Sequence, residues 1–301
     1  MPRKPKPETK AKKSKKAVAS AKRVVNVRGV LMDELLHIKL SGKPAAVLLS
    51  SGVDSNSVLF ACLELGIPVT AYSFTLDDRE SRDFKYARET AKVLGVPFKA
   101  VKLNTSVKHL QGFMHYALKM GARSKPDFEC FWPMLIALRR IAKDGIPWVL
   151  SATSADSHFA LSKKASMHFR DKTDAYRIGV FRKRNTGQKI LLRAEADRLG
   201  IQYLTPYDTT RMCSELHGLT YDELNLPRQK QPIRDAFPEY FAKIKTTNHT
   251  NLQLGDSGIA EHFKILLNTD MNPQGRYKAV KGVYNELARQ HGVTLEEDDE
   301  D

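Results

Sequence analysis

The sequence predicts an α/β fold, a parallel sheet with helices on both faces, followed by a mostly helical C-terminal part. Two observations carry this. Short apolar runs alternate with longer stretches of helical spacing from residue 27 to about 205. The first buried run, AAVLLS (45–50), breaks at Ser50-Ser51-Gly52 and resumes as an apolar helical segment, the strand–turn–helix order of a parallel unit. Beyond Pro206 the reading is helical, in pieces interrupted by Pro227, Pro232 and Pro238.

Taken in order, VRGVLMDELLHIKLSG (27–42) has helical spacing and stops at Gly42. AAVLLS is a strand, and SNSVLFACLELG (55–66) is a helix closed by Gly66. PVTAYSFTL (68–76) is a strand, SRDFKYARETAKVLG (81–95) a helix closed by Gly95, and PFKAVKL (97–103) a third strand. One helical stretch is expected over roughly 106–143, then a fourth strand, IPWVLSAT (146–153). A helix, ILLRAEADRLG (190–200), and a short strand, IQYL (201–204), complete the alternation.

The chain of 301 residues is 42% hydrophobic and 28% charged, an ordinary composition for one large domain or two small ones. Its net charge of +15 is unevenly spread: residues 1–23 carry ten Lys/Arg against one Glu, and residues 296–301 are all acidic. The expected organisation is a disordered basic tail (1–23), a domain over 24–295 that is α/β to about 205 and helical after, and an acidic tail (296–301). The basic tail reads as a solubilising arm or as a phosphate-seeking arm for nucleic acid. No apolar core follows its charges, so it is not a secretory signal, and no stretch reaches 18 uncharged apolar residues, so no membrane partner is expected. Cys62, Cys130 and Cys213 form no C-x-x-C pair, which fits a reducing, cytoplasmic setting and argues against zinc or iron–sulfur sites. The nine histidines show no metal spacing and read as surface or core residues, His158 and His168 included.

In an open parallel sheet, ligands sit beyond the carboxyl ends of the strands. The 50–55 break lies there. Gly52 and small serines let backbone approach a ligand, the following helix start offers free N–H groups to an anion, and Ser50, Ser51 and Ser55 add hydroxyl donors. Asp54 would repel bare phosphate unless Mg²⁺ bridged the two. The alternative is an ordinary helix cap at Asp54 or Ser55 with incidental serines. A lysine-bearing phosphate loop of the G-x-x-x-x-G-K-[ST] type is absent.

LLSSGVDSNS resembles the pyrophosphate loop, S-G-G-x-D-S, of the N-type ATP pyrophosphatases, with Ser51 in place of the first glycine. Further stretches resemble the asparagine synthetases of that superfamily. They are DRESRDFKYARETAKVLGVPFKAVKL (78–103), VLSATSADSHFA (149–160), LGIQYLTPYDTTRMCSELHGLTYDEL (199–224), KQPIR (230–234) and LQLGDSGI (252–259). The resemblance, to a stand-alone synthetase domain, covers about residues 40–270. It implies an adenine nucleotide alpha hydrolase-like (HUP-type) fold that splits ATP between the α- and β-phosphates. It also implies roles for individual residues. Leu48, Ser73, Phe74 and Ser151 would flank the adenosine; Ser50, Ser51, Gly52 and Ser55 would hold pyrophosphate; Asp54 and Asp156 would carry Mg²⁺. Lys230, helped by Arg234, would neutralise the leaving pyrophosphate. The alternative readings, without the resemblance, are a helix cap for Asp156 and an exposed basic face at i, i+4 spacing for Lys230 and Arg234.

Two positions depart from the resembled pattern. Thr153 and Ser157 stand where the G-E-G-A-D-E motif of asparagine synthetases has glutamates, and a hydroxyl cannot act as a base near neutral pH. The adenylating half-reaction is therefore expected, with amine transfer in question. The chain opens Met1-Pro2 and not with a glutaminase nucleophile, so nitrogen is expected from free ammonia, a separate glutaminase or another donor. The stretch DKTDAYRIGVFRKRNTGQK (171–189) interleaves basic and aromatic residues and reads as an exposed loop or frayed helix, or as a nucleic-acid contact. The expected function is an ATP- and Mg²⁺-dependent, AMP-forming ligase acting on a small carboxylate. Two alternatives are a nucleic-acid-modifying pyrophosphatase and a degenerate, nucleic-acid-associated ATP-binding protein.

Overall fold

A computed structural model describes residues 25–183, 187–248, 252 and 255–296. The basic tail and most of the acidic tail lie outside the described residues, as does Arg184 of the 171–189 segment. The chain begins with helix α1 (Val27–Ser41), which ends where Gly42 takes the left-handed conformation expected of a C-terminal glycine. Strand β1 (Ala45–Leu48) leads through the serine turn into α2 (Val53–Glu64). Strand β2 (Val69–Leu76), helix α3 (Arg82–Val93) and strand β3 (Phe98–Leu103) follow at the expected places.

The helix expected over 106–143 is three helices: α4 (Val107–Met120), α5 (Lys125–Glu129) and α6 (Phe131–Lys143). Gly121, at φ 102°, ends α4. Ser124 then restarts the chain with a capping box to Asp127, and Pro126 occupies the first turn of α5. Strand β4 is confined to Trp148–Leu150, shorter than the expected 146–153, because residues 151–154 leave the sheet to form a turn.

Three short helices then fill a region without a clear apolar period: α7 (Ala155–His158), α8 (Lys163–His168) and α9 (Thr173–Arg182). After α10 (Gln188–Arg198) and β5 (Gln202–Leu204) the chain is helical, as expected. The remaining helices are α11 (Thr210–Glu215), α12 (Tyr221–Asn225), α13 (Gln231–Ala236), α14 (Pro238–Phe241), α15 (Ile259–Phe263) and α16 (Val280–Gln290).

The five strands are all parallel, in the order β3-β2-β1-β4-β5. Successive residues of β1 feed opposite faces, as strand geometry requires. Ala46 joins one core with α4, α6, α10 and α16, while Ala45 and Val47 join another with α1, α2, α11 and α13. Burial on both sides explains why the central strand β1 reads as an apolar run without alternation, whereas the edge strand β3 carries Lys99 and Lys102. Helix α2 is buried from Val53 through Cys62: its second half, Val58–Cys62, is wholly apolar, while its first turn carries the buried polar residues Asp54, Ser55, Asn56 and Ser57. The chain leaves β1 toward β2 in one direction and returns to β4 on the other side, so the strand order reverses between β1 and β4. Their carboxyl ends flank the crevice where such sheets bind ligands.

Candidate nucleotide site

The turn after β1 is held by its own serines. Ser50 N donates to Ser55 Oγ at 3.0 Å, the Ser50 and Ser55 hydroxyls are 2.9 Å apart, and Gly52 N donates to Ser50 Oγ at 3.1 Å. Asn56 Nδ2 donates to the carbonyls of Ser50 (3.0 Å) and Gly52 (2.7 Å), tying the bend to the first turn of α2. Gly52 is the N-cap and makes no side-chain cap, so the expected alternative of a cap at Asp54 or Ser55 does not hold. The N–H groups of the first turn of α2 have no partner within the helix, as at any helix start. A Cβ on Gly52 would lie 3.2 Å from Ser50 Oγ, so a side chain there would crowd the turn.

The turn after β4 is built differently. Ser151 N donates to Leu204 O at 3.0 Å, and the Ser151 hydroxyl lies 2.7 Å from that of Thr153. Ser154 is the N-cap of α7 with a left-handed backbone (φ 80°), and Asp156 lies in the first turn. Asp156 is therefore not the cap that the alternative reading made it. His158 ends α7, and its Nε2 donates to Tyr207 O at 2.6 Å. Burial lowers the His158 pKa to about 4, so its ring is neutral near pH 7.

Both turns meet one side chain. Lys230 donates to Asp54 and, at 2.5 Å, to Asp156. Lys230 itself has a left-handed backbone (φ 59°), and its N–H donates to Asn225 Oδ1 at 3.2 Å. Lys230 and Arg234 are buried, which overturns the alternative of an exposed basic face. The Lys230 ammonium is only 3% exposed as a residue. Burial would lower its pKa, but the charges of Asp54 and Asp156 outweigh that and raise it, so it is charged at neutral pH. Arg234, one turn along α13, donates to Gln229 O and to Thr246 Oγ1 at 3.3 Å, with its guanidinium over the Phe241 ring.

The sequence-predicted residues fall into two groups, apart from Ser51, which is bonded to Asp83 and Thr247. Asp54, Asp156 and Lys230 form one ion-paired cluster, with Ser50, Gly52, Ser55 and Arg234 around it. Leu48 ends β1, paired in register with Tyr72; Ser73 and Phe74 follow in β2, and Ser151 follows β4. These four stand at the carboxyl edge of the sheet, on either side of the β1 turn. The cluster fits a hard divalent cation: two carboxylates already converge on one positive charge, and the donors are all oxygen. Among the described residues no three His, Cys, Asp or Glu side chains gather to hold a metal without a further ligand.

Other residues of the site have no signature in the sequence. Tyr207 is fully buried, with its hydroxyl 2.6 Å from Ser57 Oγ; burial and the charges of Asp54 and Asp156 raise its pKa well above the ordinary value. Tyr203 OH lies 3.3 Å from Thr153 Oγ1, so the position of the missing glutamate is a hydroxyl cluster with no carboxylate in it. Asp208 accepts from Lys189 (3.4 Å) and Arg193 (3.2 Å), and Arg177 is buried with its Nε on His158 O at 3.2 Å. Much of the 171–189 segment is helix α9, and two of its cations, Arg177 and Lys189, face inward against the expectation of a wholly exposed loop or frayed helix, while Lys172 and Arg182 remain exposed. Tyr221, spaced one residue before an acidic pair in α12, carries the Arg170 guanidinium at 4.9 Å. No helix among the described residues is long and apolar enough to cross a membrane.

A family model described as asparagine synthase matches residues 28–268. A 7-cyano-7-deazaguanine synthase of Thermoplasma acidophilum is 44% identical over 62 residues, 21% of this chain and 26% of that protein. One of Caldicellulosiruptor bescii is 33% identical over 60 residues, 20% and 27% of the two chains. The matches thus span about a quarter of the length of these relatives. Among solved structures, an NMN synthetase from Francisella tularensis is similar over 84% of this chain and 96% of that one, at 12% identity and a TM-score of 0.34.

Proposed function

The chain belongs to the asparagine synthase family of PP-loop ATP pyrophosphatases, and from that membership we propose that it is an AMP-forming enzyme that activates an oxygen of a nucleobase, free or within nucleic acid. The observation that carries the reading is Lys230, buried between Asp54 and Asp156 at the mouth of the serine turn. A nucleophilic oxygen of the substrate attacks the α-phosphorus of ATP; the new O–P bond forms as the bond to the β-phosphate oxygen breaks, and pyrophosphate leaves. A nitrogen nucleophile then displaces AMP from the adenylated carbon. The Lys230 ammonium and the first-turn N–H groups of α2 stand where a departing polyanion gathers charge, the kind of fixed donor that lowers such a barrier by several kcal/mol. Asp54 and Asp156 would hold Mg²⁺, which when bound supplies charge neutralisation to the phosphates.

The nucleobase reading draws support from the 62-residue similarity to a protein named for a modified purine. A second reading, amide synthesis on a small carboxylate, is favoured by the extent of the family match. In that reading ammonia or a separate glutaminase would supply nitrogen. Pyrophosphate release with Mg-ATP separates them. Stimulation by purine or deazapurine bases, or by RNA or DNA, with AMP as co-product, supports the first; stimulation by aspartate or another small acid supports the second. ATP binding without AMP formation under every condition defeats both.

A further inference from the structure

Ser51 stands where the resembled loop has glycine, and it is fully buried. Every polar group it has is occupied within the protein. Its N–H donates to Asp83 Oδ1 at 2.8 Å and its hydroxyl donates to the same oxygen. Its Oγ lies 2.6 Å from Thr247 Oγ1, and its carbonyl accepts from Thr247 N at 3.1 Å. The hydroxyl protons can be shared out consistently: Thr247 donates to Ser51, which donates to the carboxylate. Ser51 thus fastens the turn to α3 and to the 246–248 segment, a role that the sequence reading, which gave it to pyrophosphate, did not include. Asp83 is itself fixed in the first turn of α3, where Ser81 caps the helix by accepting from Phe84 N at 3.1 Å and Asp256 accepts from Arg82 N at 2.5 Å.

We propose that Asp83 is a positioning residue of the nucleotide loop: by holding the N–H and hydroxyl of Ser51, with Thr247 closing the tie from the far side, it fixes the bend that presents the start of α2 to the nucleotide. This rests on the nucleotide reading of the site. A carboxylate is an unexpected neighbour for a phosphate loop, since its charge opposes that of ATP. Its place is explained by the serine. With glycine at 51 there is no hydroxyl to anchor, whereas with serine the tie exchanges main-chain freedom for a two-pronged charge-assisted bond. The extra Cβ of Ser51 becomes the handle by which α3 and the 246–248 segment hold the loop.

The test uses the full chain and Mg²⁺ with α,β-methylene-ATP, which binds without turning over, read by calorimetry, together with pyrophosphate-release kinetics. D83A weakens analogue binding about tenfold to a hundredfold and raises the KM for ATP more than it lowers kcat, the cost of losing hydrogen bonds to a charged group. D83N, whose amide oxygen accepts the same two bonds, restores most of the lost affinity. S51A, which keeps the N–H on Asp83, loses less than D83A. If D83A does not fold, S51A and T247V report on the same tie and must both weaken binding. Unchanged or tighter binding in D83A, or no recovery in D83N, overturns the inference while leaving the nucleotide site standing. Wild-type protein that binds no analogue removes the nucleotide reading and this inference with it.

Discussion

The two turns that leave β1 and β4 have related sequences, SSGVDS and SATSADS, and deliver carboxylates to the same lysine, yet they are built to different stiffness. The first runs into the twelve-residue helix α2, with its serines and Asn56 bonded to one another and Asp54 buried. The second runs into the four-residue α7 through a strained serine, and the Asp156 side chain is 45% exposed. A rigid turn fixes one end of a charge cluster, while the looser one can adjust to what binds. The contrast separates the role of charge from that of backbone, and four measurements test it.

Replacing Lys230 affects both turns at once and is the largest expected effect. K230M leaves two carboxylates facing each other without a counter-charge, so pyrophosphate release falls by about a thousandfold. Stability drops by about 3–5 kcal/mol, as when one partner of a buried ion pair is removed; denaturant titration reads the second loss. Next, D54A abolishes measurable turnover while the fold, followed by circular dichroism, persists. D54N destabilises the protein more than D156N, because the half-exposed Asp156 pair is screened by water and contributes at most about 1 kcal/mol.

The third measurement is acid sensitivity. His158, which anchors α7 to Tyr207, has its pKa lowered to about 4 by burial, against 6.5 unfolded. Below pH 6.5 the unfolded chain binds a proton that the folded chain refuses, so this stabilisation is full above pH 6.5 and is lost as the pH falls toward 4. From pH 7.5 to pH 5 it amounts to about 2 kcal/mol. Urea midpoints across that range check it, with hydrogen exchange expected to rise in residues 155–160 before 53–60. The smallest effect is S154G, which relieves the φ 80° serine and raises stability by about 0.5–1 kcal/mol; no gain would mean that the Ser154 side chain compensates for its backbone.

What the sequence showed of this site follows from how far apart its partners lie. The strand, the turn and α2 are contiguous, and apolar runs broken by small residues are local signals. Asp54, Asp156 and Lys230 came together in the expectation only through resemblance to a known order of motifs. Asp83, Thr247 and Tyr207 carried no such signal: they meet Ser51 and Ser57 across 32, 196 and 150 residues. Hydrogen bonds at that separation leave no period to read. The division of 106–143 was missed: Gly121 followed by Ser124, Pro126 and Asp127 is a stop and a restart, but continuous helical spacing masked it. Arg177 shows the opposite limit: a basic residue among basic residues gives no sign that it points inward.

The pairing of β1 with β4, Ala45 opposite Trp148 and Val47 opposite Leu150, acts as a ruler for the chemistry. Each strand residue advances about 3.3 Å, so slippage by a single residue would carry one acid past the other by that distance and turn it to the wrong side. Spacing between reactive groups is therefore written in the alanines and valines of the sheet interior. A bulkier Ala46, remote from any phosphate, would be scored in an assay as a damaged active site.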